Sequence, residues 1–167
     1  MRKLVLGALA ALALSTTAAN AEWMTTVEED LFSEGSTATM IGLISLNSSI
    51  YATCNADSVT IAYVEAAGDA SEVTEPIELG EIVFKGDNSE RHLSKTSIYR
   101  HNNGYVGFTF DDTDRVVDVI RDIGKADSKI SVGLNLVLSD KPMTVSVSAR
   151  GSSKAVKSFF EACGIEE

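Results

Sequence analysis

Two histidines, His92 and His101, are the side chains of this chain best suited to moving a proton near neutral pH. They stand nine positions apart, so on one continuous strand they face opposite sides. Neither lies near a Gly-x-Ser-x-Gly nucleophile elbow. A hydrolytic triad needs a histidine beside its nucleophile, so no catalytic residue is assigned, and both are expected as exposed strand histidines. Asp111, Asp112 and Asp114 could offer oxygens to calcium, but the run lacks the glycine and the final glutamate of an EF-hand loop. Carboxylates at the start of a helix cap free amides and meet the positive dipole end, which accounts for all three without a metal. Glu65, in YVEAAG, is the acid with the most apolar flanks, the setting that a carboxylate-using hydrolase requires. It closes a strand and is expected in solvent. Trp23 and the tyrosines Tyr51, Tyr63, Tyr99 and Tyr105 could form a platform for a sugar or a peptide. Tyr51, Tyr99 and Tyr105 are expected on outward faces, with Tyr99 and Tyr105 paired across a tight turn. No cofactor or metal pattern is found, and none is expected.

The chain opens on the residue pattern of a secretory leader. Arg2 and Lys3 precede the apolar run Leu4–Leu14, and Ala19-Asn20-Ala21 forms an A-x-A cleavage site. That run is too short to span a bilayer, which takes about 20 residues. Residues 1–21 are therefore expected as a signal peptide and residues 22–167 as a single domain exported to the periplasm after cleavage following Ala21. Loss of Arg2 and Lys3 leaves 12 basic against 24 acidic side chains. Phosphate backbones and anionic membrane surfaces repel such a chain, so nucleic acid and membrane are not expected partners. A basic protein suits the charge. Cys54 and Cys163 are the two cysteines, and in an oxidising compartment they are expected to pair. A loop of that length gives roughly 4–5 kcal/mol on the chain-entropy model.

The elements that must position these residues follow from periodicity. Strands are expected at Trp23–Val27, Thr37–Leu46, Ser48–Cys54 and Val59–Ala66. The second is apolar on both faces and reads as a central strand. Ile77–Lys85 alternates but slips in phase at Gly80, which signals a bulge. Arg91–His101 is polar and reads as an edge strand or one with a wet face. Asn102-Asn103-Gly104 is a hairpin turn, because Asn-Gly tolerates positive φ. Tyr105–Phe110 follows with Val106, Phe108 and Phe110 inward. Helical spacing predicts a first helix over about 112–123, stopped by Gly124. Ile130–Leu138 alternates with one apolar face, and Thr144–Arg150 alternates again. A second helix is expected over 152–163, with Val156, Phe159, Phe160 and Cys163 on one stripe. The sum is an α+β fold, mainly antiparallel β-sheet and sandwich-like, with two short helices and one disulfide. Cys54 and Cys163 each lie on the apolar side of their element, so the bridge would hold the last helix across the sheet.

The segments GYVGFTFDD and VSVSARGSSKAVKSFFEACG carry a resemblance. They resemble the ending of VasI-type proteins associated with type VI secretion and are similar to exported proteins of the IalB type. Val145, Val147, Ala149, Gly151, Ala155, Val156 and Cys163 fill the corresponding strand and helix positions, over residues 105–164. Trp23 and Cys54 supply upstream landmarks. Ile165 stands where the Cys-containing family often ends in Trp. The resemblance implies an exported β-rich domain with one structural disulfide and brings no catalytic residue with it. The function expected is that of a non-enzymatic periplasmic binding or accessory protein of the cell envelope, with a link to secretion resting on the resemblance. The alternatives are an inhibitor of a basic envelope enzyme such as a lysozyme, and a small carboxylate-using hydrolase.

Overall fold

A computed structural model describes residues 22–29 and 36–166; the leader assigned to residues 1–21 lies outside them. The strands are β1 (Trp23–Glu29), β2 (Ser36–Ser45), β3 (Ser48–Cys54), β4 (Val59–Ala66), β5 (Ile77–Gly86), β6 (His92–Asn102) and β7 (Tyr105–Thr109). A short 3-10 turn, Thr113–Arg115, leads into α1 (Val116–Lys125). Then come β8 (Lys129–Leu136), β9 (Met143–Ser148) and α2 (Ser152–Cys163). All nine strands form one antiparallel sheet in the order β1-β2-β3-β4-β7-β6-β5-β8-β9.

Period-two patterning puts one face of this sheet in the core. Ile50, Ala52 and Cys54 of β3, Phe84 of β5 and Ile130, Val132 and Leu134 of β8 are all buried on it. Both helices pack over that face, α2 against β1 and β2, and α1 against β4 and β5. The sheet curls until its ends approach. Trp23 of β1 donates its indole N–H to the Ser148 carbonyl of β9 at 2.7 Å, although the two strands stand at opposite ends of the sheet order. A glycine permits this: a Cβ on Gly42 would lie 2.6 Å from the Trp23 ring. The result is the expected sandwich-like α+β class, built as a single curled sheet. Cys54 and Cys163 are bonded, their Cα atoms 6.1 Å apart, and tie the end of β3 to the end of α2.

Several elements depart from the pattern reading. The polar strand β6 is not at an edge; it lies between β7 and β5 and has the wet face that was the other expectation, Lys95 being exposed while Ser94 and Thr96 are buried on the opposite face. Ser94 is tolerated there because its Oγ accepts the Asp112 amide at 2.9 Å. The strand read as central, β2, is instead second from the edge, and its outward Leu43 is 46% exposed. The first helix starts later than residue 112 and runs past Gly124. Gly124 is a packing glycine rather than a stop, since a Cβ there would meet Val156 of α2 at 3.1 Å. Leu138, expected inward, lies beyond the end of β8 and is exposed. The bulge at Gly80 is present: the β5–β6 register shifts between Glu78 and Gly80, and Gly80 has φ +146. A side chain on Gly80 would collide with the Asn135 carbonyl, 2.2 Å away.

Candidate functional site

The outward face of β3, β4, β6 and β7 carries an aromatic layer. Tyr99 does not pair with Tyr105 across the turn; its register partner is Gly107, and Tyr105 stands opposite Asn102. The Tyr99 ring lies over Gly107, where an added Cβ would fall 2.1 Å from Tyr99 Cε1. A bulge at His101 turns its imidazole edge-on to Tyr51, with ring centroids 4.6 Å apart. Burial pushes the Tyr99 hydroxyl up to about 12, helped by the neighbouring Tyr51. Burial lowers the His101 pKa, so this imidazole is neutral at neutral pH. It is half-buried, not the exposed histidine that the strand pattern implied.

Beside this layer runs a cleft of about 240 Å³ walled by Leu43, Tyr51, Val64, His101, Asn102 and Tyr105. Leu46, in the β2–β3 turn, stands at its rim 98% exposed. Apolar and aromatic walls with the Asn102 amide and the hydroxyls of Ser45, Ser48 and Ser49 among them can seat an apolar side chain or the flat face of a sugar ring. The tyrosine platform was thus half legible. Tyr51 and Tyr105 do line it, but Tyr99 underlies it and Tyr63 is buried in the core, its hydroxyl donated to Glu65 at 2.9 Å. Burial and Glu65 together raise Tyr63 to about 12. Glu65 is correspondingly half-buried rather than free in solvent. Gly107 was the unread signal, because a glycine inside a strand marks the close approach of another group.

The remaining sequence candidates have structural partners. His92 is half-buried, with Nε2 2.8 Å from Asp122 Oδ2 of α1, and Lys125 lies 3.4 Å from the other carboxylate oxygen. The histidines do face opposite sides of β6, but the expectation of exposed rings fails for both, because an aromatic layer covers one and a helix the other. Asp111 accepts the Ser97 hydroxyl at 2.8 Å, and Asp112 pairs with Arg115 at 2.6 Å. Neither the 3-10 turn nor α1 has a side-chain cap, so the expected capping role is corrected. Among the described residues no group of three His, Cys, Asp or Glu side chains is arranged to hold a metal ion. No helix of the described residues is long and apolar enough to cross a membrane.

Charge is divided along the chain in a way that composition alone hides. Residues 22–84 hold twelve acids and no Lys, Arg or His; residues 85–167 hold twelve acids, twelve Lys and Arg, and both histidines. Among the described residues, Glu78 is the one acid of the first group that forms an ion pair, with Lys95 at 2.9 Å. No family model, characterised protein or solved structure matches this chain.

Proposed function

We propose that this chain is a non-enzymatic binding or accessory protein of the cell envelope, exported to the periplasm after cleavage following Ala21, and that it works by engaging a protein partner. The single observation that carries the reading is Leu46, a large apolar side chain 98% exposed at the rim of an aromatic-walled cleft. Exposed apolar groups beside a concave surface are the ordinary anchors of recognition. The Cys54–Cys163 bridge suits an oxidising compartment. The resemblance of residues 105–164 to VasI-type and IalB-type proteins supports an envelope role linked to secretion. Inhibition of a basic envelope enzyme is the second reading, favoured by the cation-free stretch 22–84.

The test uses the mature protein, beginning at Glu22, as bait in periplasmic extract at low salt with elution by salt. A specific partner should be captured by the native protein and lost with Leu43→Ser/Leu46→Ser. A basic enzyme in the eluate supports inhibition, and a secretion component supports the accessory role. Equal capture by both baits removes the cleft from the reading.

A further inference from the structure

Between α1 and α2 lies a pocket of about 220 Å³ lined by three cations. Arg121 and Lys125 stand four positions apart on α1, so both present the same face of that helix. Lys157 of α2 supplies the third, and Val156 and Phe160 close the bottom. Gly124 makes the helices approach closely here, since a Cβ on it would meet Val156 at 3.1 Å. The Ser153 hydroxyl donates to the Gly124 carbonyl at 2.7 Å and holds that spacing. The half-buried Arg121 is positioned over the Phe160 ring, its guanidinium 5.7 Å from the ring centroid. Lys125 and Lys157 are exposed. Among the described residues no carboxylate lines the pocket. Asp118, Asp122 and Glu161 meet the three cations from outside the lining, each from the same helix as its partner, at 2.7, 3.4 and 3.9 Å. Asp122 is also engaged by His92 at 2.8 Å. Exposed pairs between neighbouring helical turns contribute little, so an incoming anion can take over the two lysines at small cost.

We propose that this pocket binds an anionic head group carried on an apolar stem. The head is held by Arg121, Lys125 and Lys157, and the stem lies against Val156 and the methylene chains of the two lysines. The inference goes beyond the binding reading above and stands without it, because the helices cover the core face of the sheet and the aromatic cleft is on the outward face. The lining selects the sign of the ligand: guanidinium and ammonium donors converge with no acid among them, and hydrogen bonds from such donors to an anion are the strong kind. The lining also selects a stem. Lysine side chains keep their charge in water while their methylenes offer apolar surface, which a bare inorganic anion does not use. The volume is below the ~300 Å³ at which sites for drug-sized ligands begin, so the group that enters is small. Free organic anions and acidic side chains flanked by apolar residues share this chemistry, and the test separates the two.

The probe is phenylbutyrate, titrated into the full mature protein at low salt while amide chemical shifts are followed, with its neutral amide and acetate as controls. Phenylbutyrate should move the amides of Gly124, Ser153 and Lys157, with a Kd in the millimolar range expected of about a dozen non-hydrogen atoms. The neutral amide should leave them unchanged, and acetate, which lacks the stem, should bind at least ~tenfold more weakly. Lys125→Gln and Lys157→Gln should each weaken binding at least ~threefold. Lys154→Gln makes the same charge change on α2 outside the lining and should leave the affinity as it was. Should a lysine variant fail to fold, the neutral amide and acetate on the native protein decide alone. A capped Leu-Glu-Leu peptide is the second anion: tighter binding by phenylbutyrate assigns a free organic anion, and tighter binding by the peptide assigns an acidic segment of a partner. Absence of shifts at the three amides, equal binding of the neutral amide or of acetate, or an equal loss with Lys154→Gln overturns the proposal. Shifts confined to Tyr51 and His101 also overturn it, while leaving the binding reading standing on the cleft.

Discussion

The stretch from Glu22 to Phe84 and the stretch from Lys85 through α2 are held by different physics. The second region neutralises itself. His92 and Lys125 share Asp122, Arg115 meets Asp112, Arg121 meets Asp118, and Lys157 approaches Glu161 at 3.9 Å. Both helices belong to it. The first region has twelve acids within residues 22–84 and no cation of its own, so no internal ion pair can offset its repulsion. It depends on apolar burial, on its strand ladders and on attachment to the second region. The lesson is that net charge does not describe this chain: among residues 22–167 every Lys, Arg and His lies in the second stretch. Tests at three places in the fold break or sharpen the contrast.

The largest effect is expected at the covalent link between the regions. Cys54 lies in β3 and Cys163 at the end of α2, 109 positions apart in the chain. Cys54→Ala/Cys163→Ala should lower stability by about 2–5 kcal/mol, a large share of the total for a domain of this size. Cys54→Ser and Cys163→Ser alone should be worse, since each leaves a free thiol and places a hydroxyl where sulfur was held. Thermal melts, with a thiol count on denatured protein without reductant, check this. Unchanged melting temperatures in all three variants would mean that the regions hold together without the staple.

The second link is the Trp23 side chain, 2% exposed, which passes over Gly42 to reach the Ser148 carbonyl. Gly42→Ala should displace the ring at a cost of about 1–3 kcal/mol, the usual range for overpacking. A red shift of Trp fluorescence should accompany the lower melting temperature, because this is the one tryptophan. A melt unchanged within error would show that the sheet closes without this contact.

The smallest effect lies wholly inside the charge-balanced region. The Ser128 hydroxyl, with the Asp127 and Ser128 amides, holds the Asp87 carboxyl down at about 2. A carboxyl depressed in the folded state stabilises above its ordinary value of 3.8, and that stabilisation disappears as pH falls through about 2. Asp87→Asn should therefore melt lower than the native protein at neutral pH, and the gap should close as the pH is taken down toward 2. A gap independent of pH would show that the carboxylate charge does no work in the β5–β6 turn.

Local pattern carried much of the architecture. Ser48–Cys54, Val59–Ala66 and the helix Ser152–Cys163 match the structure residue for residue, because each is bounded by clear turn or cap signals and the first and last keep an uninterrupted period. The bulge at Gly80 was legible as a slip of phase. β6 was only partly legible: its polarity pointed to an edge or to a wet face, and it lies inside the sheet with Lys95 exposed on one face and Ser94 buried on the other, where its hydroxyl accepts the Asp112 amide 18 positions away. Nor could the cleft be read. Tyr51, His101 and Tyr105 come from three strands, and they meet through the β6–β7 bulge, the Tyr51–His101 edge contact and the packing of Tyr99 on Gly107.

By itself the sequence determined the strand and helix periods, the cation-free stretch 22–84 and the availability of two cysteines, since these are properties of residue type and spacing alone. The tertiary structure decided which strands stand at the ends of the sheet, which glycines lie under an aromatic ring and which carboxylates find a cation. Those outcomes depend on sheet order and on curvature, and both are set by contacts between residues far apart in the chain, as the reach of Trp23 to Ser148 across 125 positions shows.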